Sequence, residues 1–367
     1  MMMRSADAVS NTPTSVLGGT AFVNPADRAG HAHPPTISGP YDLGVHRHGR
    51  IIVGLIVVLL LGAAVAACSS GKKHAAPVTT STTADTLPLD TIASSATDVY
   101  TGSEPRRQLR FHPALGATFQ TKVAYVEHTT YAVSQVQGAP VAVPPITAEV
   151  TTTVDAIDPD GTIRCTFRFA SVTIDTTGVD PGTARDAQAS FGSLIGITGT
   201  IAMRSTGTVT AFTTNPPAGL DDIANAWLSR LSNSIQQLII SFPTDPVGEG
   251  AVWKVPVSLD FDGLNSSATY SVTLTHLTTD RIDLELTYAQ TAPLGPVPFA
   301  GLPSGVTAEL LGFHLEGSGK QQSDLTQILP ASSTLAASGD ILFRLLQGSA
   351  EERVDQKLAI KVDAAAG

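Results

Sequence analysis

Two cysteines, Cys68 and Cys165, are the chain's only thiols, and their neighbours assign them different chemistry. Cys68 follows Val65-Ala66-Ala67 at the end of seventeen uncharged, mostly aliphatic residues, Ile51 to Ala67, and precedes Ser69-Ser70-Gly71. A thiol presented behind small residues at the exit of an apolar segment is placed to take a thioether-linked diacylglycerol, after which cleavage before it makes it the mature N-terminus. Cys165 lies among Ile163, Phe167 and Phe169 on the apolar side of an alternating run. There a cysteine serves as a small hydrophobe, because a nucleophilic thiolate needs an exposed, electropositive setting. With Cys68 lipidated, Cys165 has no partner and no intrachain disulfide forms.

The other reactive side chains are dispersed. His74, His112, His128, His276 and His314 follow Cys68, none with a neighbour at ligand spacing, while His31, His33, His46 and His48 precede the apolar run without a Cys or carboxylate cluster. No G-x-S-x-G, H-E-x-x-H or glycine-rich phosphate loop occurs. The expectation is therefore no catalytic residue, no metal site and no cofactor. Glu127-His128 is a weak acid–base signal, and a hydrolase with a site hidden from sequence ranks third among the functional readings.

The apolar run is flanked by His46, Arg47, His48 and Arg50 before it and by Lys72 and Lys73 beyond Cys68. Basic flank, apolar stretch and small-residue exit are the three parts of an export signal. Seventeen helical residues span about 25 Å, short of a ~30 Å hydrocarbon core. The expected product is a lipid-anchored protein of the cell membrane with its folded part on the extracytoplasmic side. An uncleaved helix 51–67 is the alternative anchor, with the same orientation. Residues 1–45 are poor in aliphatics and read as a disordered tail or an over-long gene model. Residues 46–67 form the signal, 68–104 a Ser/Thr/Ala-rich stalk, and 105–367 one β-rich domain.

Net charge is −10, and residues 1–67 hold four arginines and three aspartates, which leaves −11 from Cys68 onward. An acidic domain with scattered cations excludes nucleic acid as a partner and does not adhere to anionic lipid by charge. The anchor must do that work.

Past Leu109 the apolar residues alternate. Ile146, Ala148, Val150, Thr152, Val154 and Ala156 share one face of a strand, Asp158-Pro159-Asp160-Gly161 turns the chain, and Ile163, Cys165, Phe167 and Phe169 return. The phase then slips to Val172 and Ile174, which predicts a bulge near Ala170-Ser171. Further strands are expected at 200–212 (a hairpin), 251–261, 268–277, 281–290, 309–315, 338–346 and 356–363, with Gly317-Ser318-Gly319 as a bend. Asp221 to Phe242 differs: Ile223, Trp227, Leu231, Ile235, Leu238, Ile239 and Phe242 recur at helical spacing, and Pro243 stops them. The predicted class is α+β, mostly β: a large curved antiparallel sheet, an open half-barrel, with one long amphipathic helix packed on its concave face. Ala292 to Gly305 is apolar yet broken by four prolines and three glycines, a loop packed on the sheet or a lid over a cavity.

From Arg110 onward the order of elements resembles an uncharacterised family of exported bacterial proteins, often lipoproteins, with a β-rich domain of unknown function. The matching stretches are Leu109-Arg110-Phe111 with Gly116, Asp158 to Gly161, Phe242-Pro243 leading into Gly248 to Trp253, Tyr270 to Leu274, and Gly317 to Leu325. More distantly, a curved sheet with a helix against it on a lipidated stalk looks like the lipid-carrier lipoproteins of the bacterial envelope. The resemblance brings no catalytic residues. It implies a non-enzymatic binding module, in its sharpest form one holding an acyl chain or other apolar ligand lined by Trp227, Leu231, Ile235 and Phe299. The alternative is a structural or protein-interaction scaffold with a solid core. Oligomeric state is open.

Overall fold

The computed structural model describes residues 95–134, 136–138, 141–261, 264–298, 302 and 304–367. Cys68, the 51–67 segment, residues 1–45, the stalk up to residue 94 and Phe299 lie outside the described residues.

Among the described residues are fourteen strands and two helices. After β1 (Thr97–Tyr100), which pairs with β8 (Val252–Phe261), the first meander is β2 (Thr118–Val133), β3 (Val136–Gln137), β4 (Val141–Ile157), β5 (Ile163–Ile174), α1 (Pro181–Gly192), β6 (Thr198–Met203) and β7 (Val209–Asn215). Helix α2 (Asp222–Gln237) follows. The second meander is β8 (Val252–Phe261), β9 (Leu264–Leu277), β10 (Arg281–Thr291), β11 (Gly295–Val297), β12 (Val306–Asp324), β13 (Ser332–Gln347) and β14 (Ala350–Ala366). All join one antiparallel sheet in the order β1-β8-β9-β10-β12-β13-β14-β2-β4-β5-β6-β7, with β11 added to β12 and β3 to β2. The two meanders are sewn together where β14 pairs with β2, from Val354↔Val133 to Ala366↔Thr121. The ends, β1 and β7, do not meet, so this is the expected open half-barrel.

Period-two patterning decides the faces. On β2, Val123, Tyr125, Glu127 and Thr129 are buried, while Lys122 and His128 are exposed. The buried rows face α2, whose stripe of Trp227, Leu231 and Ile235 closes the core on the concave side. Asp221 caps α2, its carboxylate accepting from Ala224 N at 2.7 Å.

The sheet follows the sequence pattern closely in its first hairpin. Asp158 N–H and Thr162 O close the turn at 2.8 Å with Gly161 at φ +82°, and the β4–β5 register shifts between Glu149↔Ser171 and Val150↔Phe169, leaving Ala170 bulged as expected. Pro144 and Pro145 interrupt β4 where its pairing with β2 shifts, the position at which a strand tolerates a missing N–H.

Four expectations need correction. There are two helices, not one: α1 has little apolar stripe to reveal it, only Phe191 being buried, and is started by Asp180, whose side chain accepts from Gly182 N and Thr183 N ahead of Pro181. Helix α2 stops at Gln237 rather than Phe242. The chain continues irregularly but still buried, with Phe242 N–H donating to Thr206 O. The stalk does not reach residue 104, since Thr97 and Tyr100 already pair with Lys254 and Val252. Gly317-Ser318-Gly319 is strand interior, not a bend, paired with Thr287 and its neighbours on one side and Ala337 to Leu335 on the other. Those glycines, with Gly339, let β12 and β13 approach closely: a Cβ on Gly339 would sit 1.8 Å from His314 O, and one on Gly319 2.3 Å from Thr334 O.

Candidate functional site: a polar cleft on the outer face of the sheet

On the concave side α2 buries its apolar stripe. Trp227, Leu231 and Ile235 are each no more than 2 % exposed. The Trp227 ring meets Tyr125 edge-on at 5.5 Å and Phe191 at 5.5 Å, and the Arg230 guanidinium lies 4.8 Å above it. These three expected ligand-lining residues are brought together, but as packed core.

Several polar groups under the helix pair with one another. Glu127 Oε2 accepts from Tyr125 Oη at 2.9 Å and faces Arg230 Nη1 at 3.7 Å, while Thr129 Oγ1 donates to Glu127 Oε1 at 3.3 Å. Further along, Tyr270 Oη donates to Gln237 Oε1 at 2.9 Å, and Gln290 Nε2 to Ser266 Oγ at 2.6 Å. Burial raises the phenol pKa of Tyr270 and of Tyr288 above the ordinary value. Both hydroxyls therefore act as hydrogen-bonded struts rather than as bases.

The weak Glu127-His128 signal dissolves in the pleat, since Glu127 points into the core and His128 to the opposite, exposed face. His112, His276 and His314 are surface residues, each beside one carboxylate: Asp280 at 3.3 Å, Glu249 at 3.0 Å and Glu316 at 3.0 Å respectively.

Cys165 is 1 % exposed on β5. Burial, with the Asp155 carboxylate adding to it, pushes its thiol up to about 12. The thiolate is therefore scarce at neutral pH. Iodoacetamide at pH 8 is expected to leave Cys165 unmodified in the native chain and to alkylate it fully in guanidinium; comparable rates in the two states would contradict its assignment to the core.

The other face of the sheet carries a cleft of about 680 Å³ over β9, β10, β12, β13, β14 and β2. Cross-strand register builds it from two parallel rows of outward side chains. One row runs Asp283, Gln322, Ser332, Ala365, Lys122, and the next Glu285, Lys320, Thr334, Asp363, Ala124. Five strands at ~4.8 Å spacing put Asp283 and Lys122 on opposite walls roughly 19 Å apart at the backbone. The floor is made of small residues (Ser332, Thr334, Ala365, Ala124) and the walls of long ones, which is what hollows an otherwise continuous sheet surface.

Internal pairing sets the cleft's electrostatics. Lys320 Nζ lies 3.0 Å from Glu285, and Lys361 Nζ, from the adjoining row, 2.7 Å from Asp363. Ser332 Oγ donates to Gln322 Oε1 at 3.2 Å, and Thr275 Oγ1 to the Asp283 carbonyl at 3.1 Å. Among the described residues, the Lys122 ammonium and the Asp283 carboxylate have no side-chain hydrogen bond or ion pair. The cleft thus offers one free cation, one free anion, and hydroxyl and amide groups between them. None of its residues belonged to the site expected from sequence; the available signal was the column of small outward residues Ser332, Thr334, Ala336 and Ser338 on one long strand.

No group of three His, Cys, Asp or Glu side chains that could hold a metal ion exists among the described residues, and no described helix is long and apolar enough to cross a membrane. No family model matches the chain, and no curated protein matches it. Among solved structures, it is similar to Pseudomonas aeruginosa OpdL at a TM-score of 0.18 and 8 % identity, covering 68 % of this chain and 99 % of that one, a likeness that carries no argument about fold or function.

Proposed function

We propose that the chain is a cell-envelope lipoprotein, diacylated at Cys68, whose extracytoplasmic β-rich domain is a non-enzymatic binding module working through the outer face of its sheet. The observation that carries this reading is the division of labour between the faces: the concave side is occupied by α2, and the 680 Å³ cleft lies on the other. That volume is in the range of small-molecule sites. An acyl ligand under α2 would have to displace Trp227, Leu231 and Ile235 from close packing, so the ligand is placed outside the half-barrel instead. The anchor supports the same reading, because a domain of charge −11 has no electrostatic hold on an anionic membrane.

Mass spectrometry of the full-length chain purified from membranes, with solvent extraction of a parallel sample, tests the proposal. The expected result is an N-terminal peptide beginning at a diacylglyceryl Cys68, with no further acyl lipid extracted. An intact peptide across Ala67–Cys68 would overturn the lipoprotein assignment. One extractable acyl lipid per chain would return the ligand to the concave side.

A further inference from the structure

We infer that the outer cleft is a binding site for an uncharged oligosaccharide; the inference rests on the binding-module reading and names its ligand class. The lining carries two lysines against three carboxylates, and Lys320–Glu285 and Lys361–Asp363 neutralise one another locally. What remains free is a single ammonium, Lys122, and a single carboxylate, Asp283, on opposite walls. Phosphates, acidic glycans and polycations would each find as much repulsion as attraction there.

A sugar hydroxyl both donates and accepts, and so complements a surface that mixes pure acceptors, pure donors and groups of dual character. Asp283 supplies the first, Lys122 the second, and Gln322, Ser332 and Thr334 the third. Ala124 and Ala365 leave small apolar areas on the floor against which the C–H faces of a sugar ring can lie. From Asp283 to Lys122 the cleft crosses five strands with walls about 19 Å apart at the backbone, longer than one monosaccharide and suited to a short chain. An acyl chain gains little in it, because nine of its eleven outward side chains are polar.

The test is calorimetric titration of the full-length chain in detergent micelles with maltotriose, cellotriose and chitotriose. Phosphatidylglycerol vesicles and a neutral Lys/Glu peptide are run alongside. At least one trisaccharide is expected to bind with a Kd of about 1 mM or tighter. Asp283→Asn should weaken it at least tenfold and Thr334→Trp, which fills the floor, should abolish it, while Asp186→Asn on exposed α1 leaves it unchanged. Asp283→Asn is nearly isosteric at the surface, so it reads the site even where Thr334→Trp perturbs the strand. Trisaccharide binding insensitive to both cleft variants would overturn the inference. Peptide or vesicle binding that Thr334→Trp abolishes, with no trisaccharide bound, would overturn the saccharide class but keep the binding module. Silence from every probe would overturn both.

Discussion

Arg230→Met is expected to destabilise the domain by about 3–5 kcal/mol. Arg230 is 8 % exposed and Glu127 4 % exposed, and the pair sits between α2 and β2. Removing the cation leaves the Glu127 carboxylate buried, accepting from the neutral hydroxyls of Tyr125 and Thr129. It also removes the cation from above the Trp227 ring. The pair itself contributes little net stability, because both charges were desolvated to make it. Glu127→Leu combined with Arg230→Met should therefore recover most of the loss. Denaturant midpoints of the single and double variants check this; a loss below about 1 kcal/mol for Arg230→Met would show that water reaches the pair.

Trp227→Ala is expected to cost a similar ~3–5 kcal/mol, the figure for a large aromatic deleted from a packed core. This substitution separates two readings of the same residue. As core, Trp227 holds Tyr125 of β2 and Phe191 of α1 against α2, so its loss loosens the contact between helices and sheet. As the wall of an open ligand cavity, it would leave on truncation a stability change within about 0.5 kcal/mol. Thermal or denaturant unfolding of Trp227→Ala distinguishes the two, and Ser190 Oγ on Asp221 at 2.9 Å gives the helix pair a second tie that moderates but does not remove the effect.

Local physics made much of the fold legible. The β4–β5 hairpin, its Asp-Pro-Asp-Gly turn and the Ala170 bulge follow from alternation and a phase slip within thirty residues. The start of α2 follows from Asp221 and the stripe behind it. What stayed hidden was set by tertiary partners. Ile239 and Phe242 keep the apolar spacing of a helix after Gln237 because the core wants them, not because the backbone is helical. Gly317 and Gly319 read as a bend because glycine weakens strands, yet here they admit a neighbouring backbone.

The site was less legible still. Lys122 and Asp283 are 161 positions apart in sequence, and only the β10-β12-β13-β14-β2 order and its register place them in one row. A shift of one residue in any of those pairings would turn the row into the core. The three expected ligand-lining residues that the structure describes are buried core, and their signal is ambiguous for the converse reason. Trp227, Leu231 and Ile235 announce an apolar face, and an apolar face is the same signal whether it meets a ligand or a sheet.

Both faces of the sheet follow from one pattern: outward positions that alternate with core residues along β2, β10, β12, β13 and β14 form the cleft, and the core residues between them on β2 meet α2. The proposed working surface is the outward set. Lysine acetylation footprinting of the full-length chain, with and without the trisaccharide panel, addresses it directly. Lys122 and Lys320 line the cleft, whereas Lys357 lies on the same face of β14 but away from it. Bound ligand is expected to protect Lys122 and Lys320 and to leave Lys357 fully reactive; protection of Lys357 alone, or equal labelling of all three lysines with and without ligand, would show that the working surface lies elsewhere.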